Sequence, residues 1–135
     1  MIVDTSALLA YFDANEPQHQ AVSEAIESSD ETLVVSPYVI AEVDYLVLTR
    51  HGSEAERAVL AELAGGAWEL APMDRTRLEA AADLVRRYAD VPIGVTDASN
   101  IVLAQAYQTD TIATLDRRHF SILRFADGSA PRVLP

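Results

Sequence analysis

The feature that most constrains this chain is a series of short apolar or β-branched runs, each closed by a proline or handed over to an acid. Ile2-Val3 runs straight into Asp4, then into Thr5 and Ser6, and Ala7 to Phe12 opens a helix. Leu33-Val34-Val35-Ser36 is closed by Pro37, Ala67 to Ala71 by Pro72, and Thr111 to Leu115 delivers Asp116. Runs of this length and polarity read as buried strands. Strands separated by helical segments imply βαβ units and a largely parallel sheet, an α/β fold. The carboxyl ends of such strands and the starts of the following helices share one edge, where ligands bind.

The helical segments follow from spacing and punctuation. Glu16-Pro17 starts one running to about Ser29, since proline is tolerated in a first turn. The Tyr38 to His51 segment is apolar nearly all round, which predicts a central, buried helix ending near Gly52. Ser53 caps a helix to about Ala64, stopped by Gly65-Gly66. Asp74 caps an amphipathic helix to about Ala89, with Leu78, Ala82, Val85 and Ala89 as its apolar line. Pro92 and Gly94 mark a loop, Thr96 is a good N-cap, and Asp97 falls in the first turn of a helix from Ala98 to Tyr107. A last strand is expected near Ile122-Leu123-Arg124, before a polar tail.

With 135 residues, 50% of them hydrophobic, and a mean hydropathy of +0.08, one domain spanning residues 1–135 has enough material for a core. The absence of cysteine excludes disulfides and thiolate metal sites. The apolar start carries no basic residues and is interrupted by Asp4, unlike a signal peptide. No stretch reaches the ~20 apolar residues of a membrane span, so a cytoplasmic protein without membrane contact is expected. The net charge of -11 argues against a basic nucleic-acid footprint. Yet all ten basic residues are arginine, the better bidentate phosphate ligand, and bound divalent cations would invert the local field. A GC-rich coding sequence would also account for the missing lysines, and the acidic surplus suits a basic protein partner.

Four positions stand out for chemistry. Asp4 and Asp116 end predicted strands, Asp97 opens a helix after a loop, and the apolar helix carries Glu42 and Asp44, neither with a basic residue one turn away. An unpaired buried carboxylate is costly, so one of the latter two needs a cation or a cavity. They lie ~200° apart around the helix axis, and spacing does not choose between them. Each acid has a plain structural alternative: Asp4 and Asp116 as helix caps, Asp97 as a dipole-favoured first-turn acid, Glu42 with its head in solvent. Together, Asp4, Asp97 and Asp116 would converge on one edge, and crowded carboxylates repel unless a metal neutralises them. Oxygen ligands without cysteine suit Mg²⁺ or Mn²⁺. His19, His51 and His119 read as solvated surface groups.

The segments MIVDTSALLAYF, SPYVIAEVDYLV, TDASNIVLA and TLDRRHF, at Met1, Ser36, Thr96 and Thr114 onward, give the whole chain a close resemblance to PIN-domain ribonucleases of the VapC toxin group. The resemblance maps four catalytic, metal-holding acids onto Asp4, Glu42, Asp97 and Asp116, thereby choosing Glu42 over Asp44. Thr5, Ser6 and Thr114 match its supporting hydroxyl residues. It implies a three-layer α/β/α fold and an endoribonuclease that hydrolyses RNA through a Mg²⁺- or Mn²⁺-activated water. Asp4 and Asp97 would hold the metal most directly, with Asp116 and Glu42 completing the shell. It also implies a homodimer and an antitoxin partner that occludes the acidic site, within a type II toxin–antitoxin pair. Arg117, Arg118, Arg86 and Arg87 are candidates for RNA phosphate contacts. A haloacid-dehalogenase-like phosphatase would place a second Asp where this chain has Ser6, and it shares with receiver domains a lysine that this chain lacks. A catalytically silent PIN-like binding module is the remaining alternative.

Overall fold

The computed structural model describes all residues 1–135. In chain order the elements are β1 (Ile2–Val3), α1 (Thr5–Phe12), α2 (His19–Glu27), β2 (Val34–Val35), α3 (Pro37–His51), α4 (Ser53–Leu63), β3 (Glu69–Leu70), α5 (Arg75–Arg87), α6 (Val95–Ala106), β4 (Thr111–Ala113), α7 (Arg117–Phe120) and β5 (Arg132–Leu134). The five strands form one parallel sheet in the order β3-β2-β1-β4-β5.

Alternation along the strands builds the three layers. Val3, Val35 and Ala113 point into one core with Leu8, Val22, Ile26, Val39 and Val43 of α1 to α3. Ile2, Val34 and Ile112 point into a second core with Ala81, Leu84, Ile101 and Phe120 of α5 to α7. Strands buried on both faces need no polar alternation, which is why their sequences are continuous apolar runs. The chain leaves β1 toward β2 and β3, then returns to place β4 on the other side of β1. The carboxyl ends of β1 and β4 therefore flank the point where strand order reverses, the crevice where open α/β sheets bind ligands.

Several expectations need correction. The last strand is Arg132–Leu134, not Ile122-Leu123-Arg124. Ile122 and Leu123 instead close α7, both donating to the His119 carbonyl, at 3.0 and 3.1 Å. The N-cap of α6 is Gly94, and Thr96 lies inside the first turn. Helix α2 begins at His19, two residues after Pro17. Helix α3 is not buried all round: Val39, Val43 and Val47 face the core, while Tyr45 is 66% exposed. The buried line of α5 is Ala81 and Leu84, and Leu78 is exposed, a rotation of about one residue from the expected stripe. His19 is half-buried, its Nδ1 2.8 Å from the Ala10 carbonyl oxygen, tying α2 to α1.

Candidate active site

Asp4 emerges from β1 with its backbone N–H donating to Ala113 of β4, and its side chain is buried at the crevice. Oδ1 accepts from Asn100 Nδ2 at 2.9 Å, and Oδ2 accepts from Thr114 Oγ1 at 2.8 Å and Ser6 Oγ at 3.0 Å. All three donors are neutral. Burial pushes the Asp4 carboxyl above its usual range, and the Thr114 and Ser6 hydroxyls offset this only in part. The same two hydroxyls shape the β4 exit, since Thr114 Oγ1 accepts from Asp116 N and Ser6 Oγ from Leu115 N. The supporting positions Ser6 and Thr114 thus connect the two central strands through the Asp4 carboxylate.

Asp97 reaches the same crevice from the first turn of α6. Gly94 N–H donates to its Oδ2 at 3.3 Å, the orientation a first-turn acid adopts toward free helix N–H groups. Its pKa is raised by burial first and by the Asp4 charge second, with Asp116 adding to the repulsion against Gly94 N–H and His119. Asp116 does cap α7, through Oδ1 and the N–H groups of Arg118 and His119, leaving Oδ2 turned inward. Its capping role and its place in the site are therefore compatible.

Glu42 lies on the exposed side of α3, and two hydroxyls next to the other acids fix its head group. Thr5 Oγ1 donates to Oε2 at 2.8 Å and Thr96 Oγ1 to Oε1 at 2.6 Å. Thr96 can reach it because it is not used as the cap. Asp44 points instead toward Glu56 of α4, and the proximity of the two carboxyls holds Glu56 above its usual range, after desolvation. The structure thus separates the two acids that spacing left open.

Two residues of the site escaped the sequence reading. Asn100 is fully buried, with Nδ2 on Asp4 and Oδ1 without a partner. His119, read as a surface group, is buried with Nδ1 3.0 Å from Asp97 Oδ2 and 3.1 Å from Asp116 Oδ2. The available signals were spacings: Asn100 follows Asp97 by three residues, and His119 follows Asp116 by three, each on the same helix face. His51 is the exposed group expected of it. Of the four arginines, only Arg118 stands beside the acids, with Nη2 3.1 Å from His119 Nε2. Arg117 donates to the Pro135 carbonyl, Arg86 pairs with Asp83 on the surface, and Arg87 lines a shallow groove with Val102 and Gln105.

The donor set suits a hard divalent cation: carboxylates and an amide oxygen, no sulfur, and raised carboxyl pKa values that an added positive charge would relieve. The unpartnered Asn100 Oδ1 is a further oxygen donor, and Asp97 Oδ1 is free of any protein hydrogen bond among the contacts seen. No three His, Asp or Glu side chains are arranged so that they could hold an ion between them. The arrangement is an open one, with Glu42 drawn toward Thr5 and Thr96 and the Asp97 and Asp116 carboxylates turned toward His119.

The PIN domain family model matches residues 1–126, and the chain belongs to the PIN-domain family. Within that family it is 63% identical over 135 residues to Ribonuclease VapC26 of Mycobacterium tuberculosis (strain ATCC 25618 / H37Rv), covering 100% of both chains. Among solved structures it is similar to Mycobacterium tuberculosis VapC20, described as a sarcin-ricin loop cleaving toxin, with a TM-score of 0.83 at 19% identity over 99% of this chain and 98% of that one. A toxin–antitoxin complex from Klebsiella pneumoniae superposes with a TM-score of 0.68 at 16% identity, covering 98% of both chains. FitAcB from Neisseria gonorrhoeae gives 0.64 at 18% identity over 85% of this chain and 86% of that one. At these identities the solved structures speak to the fold.

Proposed function

We propose that the chain is a divalent-cation-dependent endoribonuclease and the toxin of a type II toxin–antitoxin pair. The observation that carries this reading is the gathering of Asp4, Asp97 and Asp116 at the strand-order reversal, with neutral hydrogen-bond partners and the His119 ring beside them. The full-length likeness to Ribonuclease VapC26 supplies the reaction class. Asp4 and Asp97 would hold Mg²⁺ or Mn²⁺ most directly, with Asp116 and Glu42 completing the shell. When bound, such an ion lowers the pKa of a water and stabilises charge on the phosphoryl group being cut.

The protein's own part is to hold the donors still. Asn100, Ser6 and Thr114 fix both oxygens of Asp4, and Thr5 and Thr96 fix both oxygens of Glu42. Arg118, exposed at the rim, is the arginine best placed to meet an RNA phosphate. An antitoxin and a second copy of this chain are the expected protein partners. Their support is the apolar surface of Tyr45 and Leu48 on α3, and a groove floored by Leu9, Phe12, Val47, Ala55 and Val59 with Asp13, Glu16, Arg50 and His51 at its rim. No helix is long and apolar enough to cross a membrane.

Expression without an antitoxin tests the reading. Wild type should arrest growth, Asp97→Asn should relieve the arrest, and purified wild type should cleave RNA with Mn²⁺ or Mg²⁺ but not with chelator. A purified protein that cuts no RNA, together with an equally toxic Asp97→Asn, would point to the silent binding module.

A further inference from the structure

His119 is buried among the acids, and polar groups approach its ring from both sides. On one side, Arg118 Nη2 lies 3.1 Å from Nε2. A guanidinium has only donors, so Nε2 must accept, which assigns the ring proton to Nδ1 by elimination. On the other side, Nδ1 lies within 3.0 and 3.1 Å of Asp97 Oδ2 and Asp116 Oδ2, yet is aligned with neither well enough for a full hydrogen bond to one alone. Nδ1 therefore lies between two carboxylates that come from different elements, α6 and the cap of α7, without a directed hydrogen bond to either. Those carboxylates have little else to hold them together, because Asp97 otherwise receives only the long Gly94 contact, and Asp116 Oδ1 is occupied by backbone N–H groups.

We infer that His119 is a positioning residue for the cation site: its Nδ1–H gathers the Oδ2 atoms of Asp97 and Asp116, leaving Asp97 Oδ1 free to face the ion, while Arg118 fixes the ring tautomer. The inference rests on the cation-dependent reading above and adds to it a residue outside the four acids. Partners one step removed from the ion commonly set ligand direction, and their loss costs about 10–100-fold in affinity.

The test is calorimetric Mn²⁺ binding to the purified full chain, with circular dichroism confirming the fold. His119→Asn places its amide nitrogen near the Nδ1 position and keeps a donor toward the acids. His119→Gln places its nitrogen near Nε2 and removes that donor, and His119→Phe keeps the packing with no donor at all. The expected result is Mn²⁺ affinity within about threefold of wild type for His119→Asn, and a loss of about tenfold or more for His119→Gln and His119→Phe. Arg118→Met, at an exposed position, should give a smaller loss. If His119→Phe fails to fold, the contrast between Asn and Gln decides. Equal affinities across these variants, or tighter binding when the donor is removed, overturn the inference and leave the cation site standing. A wild type that binds no Mn²⁺, or an Asp97→Asn variant that binds it as wild type does, overturns the cation reading and this inference with it.

Discussion

At the amino edge of the sheet, Glu31 receives the N-terminal ammonium at 2.7 Å and the Thr109 hydroxyl, with Arg132 at 3.6 Å. At the carboxyl edge, Asp4 receives an amide and two hydroxyls and no positive charge. The pKa values move accordingly. Hydrogen bonding to the ammonium, then to Thr109, holds the Glu31 carboxyl below its usual range, whereas burial holds Asp4 above it. The fold thus neutralises a carboxylate where it needs only stability and leaves acids under-compensated where it can bind something. The contrast teaches that the charge deficit at the carboxyl edge belongs to the design of that edge, since the same chain supplies cations to an acid at the other end of the same strands.

The largest effect expected from perturbing this contrast is chemical. Asp97→Asn should lower RNA cleavage by on the order of 10²–10³-fold in a gel assay with saturating Mn²⁺, without unfolding the protein. Replacing both hydroxyls that hold Glu42, as Thr5→Val with Thr96→Val, should weaken Mn²⁺ binding by about tenfold by calorimetry. An unchanged affinity would mean that Glu42 does not need its two threonines.

The same acid-to-amide exchange should then give opposite signs at the two edges. Glu31→Gln should destabilise the protein by about 1 kcal/mol in denaturant titrations at neutral pH, a value already discounted for the partial exposure of the pair. Asp4→Asn should raise the metal-free melting temperature at neutral pH by a few degrees, because it removes a charge that burial disfavours. The hydroxyls of Ser6 and Thr114 can turn to accept from the new amide.

The pH dependence follows the same signs. A carboxyl raised in the folded state contributes stability fully present below its ordinary value of 3.8 and lost as pH rises through the folded value, so the Asp4→Asn advantage should vanish near pH 3. Glu31, being lowered, contributes stability above its ordinary 4.5, lost as pH falls through the folded value. Matching signs for the two substitutions at neutral pH would break the comparison. Arg86→Ala should change stability by less than about 0.5 kcal/mol, since its pair with Asp83 is a solvated surface one.

What the sequence made legible depended on whether a residue's role was local. The apolar runs ending at Asp4 and Asp116 announced strands and their edge, because period and punctuation act within a few residues. The choice between Glu42 and Asp44 was not local. It depends on Thr5 and Thr96, 37 and 54 residues away along the chain, and only the family resemblance supplied it. His119 was lost for a related reason, since a histidine after two arginines carries the pattern of a solvated turn. It is buried beside Asp97, which lies 22 residues earlier in the chain. Strand β5 was missed because three residues pairing with β4 alone, flanked by Pro131 and Pro135, leave no periodic signal. The α5 stripe is shifted because consecutive Ala80, Ala81 and Ala82 leave neighbouring lines similarly apolar, so packing against α6 decided which was buried.

The Ser6–Thr114 connection has a consequence for a ribosome making this chain. The hydroxyl pair at Asp4 spans 108 residues of sequence, so the first acid lacks its Thr114 donor until the fourth strand has zipped against the first. A nascent or truncated polypeptide that ends before that pairing carries Asp4 without its Thr114 donor. Synthesis order thus sets the order of assembly: the Asp4 oxygens gain their full set of donors only after residues 111–114 have joined the sheet.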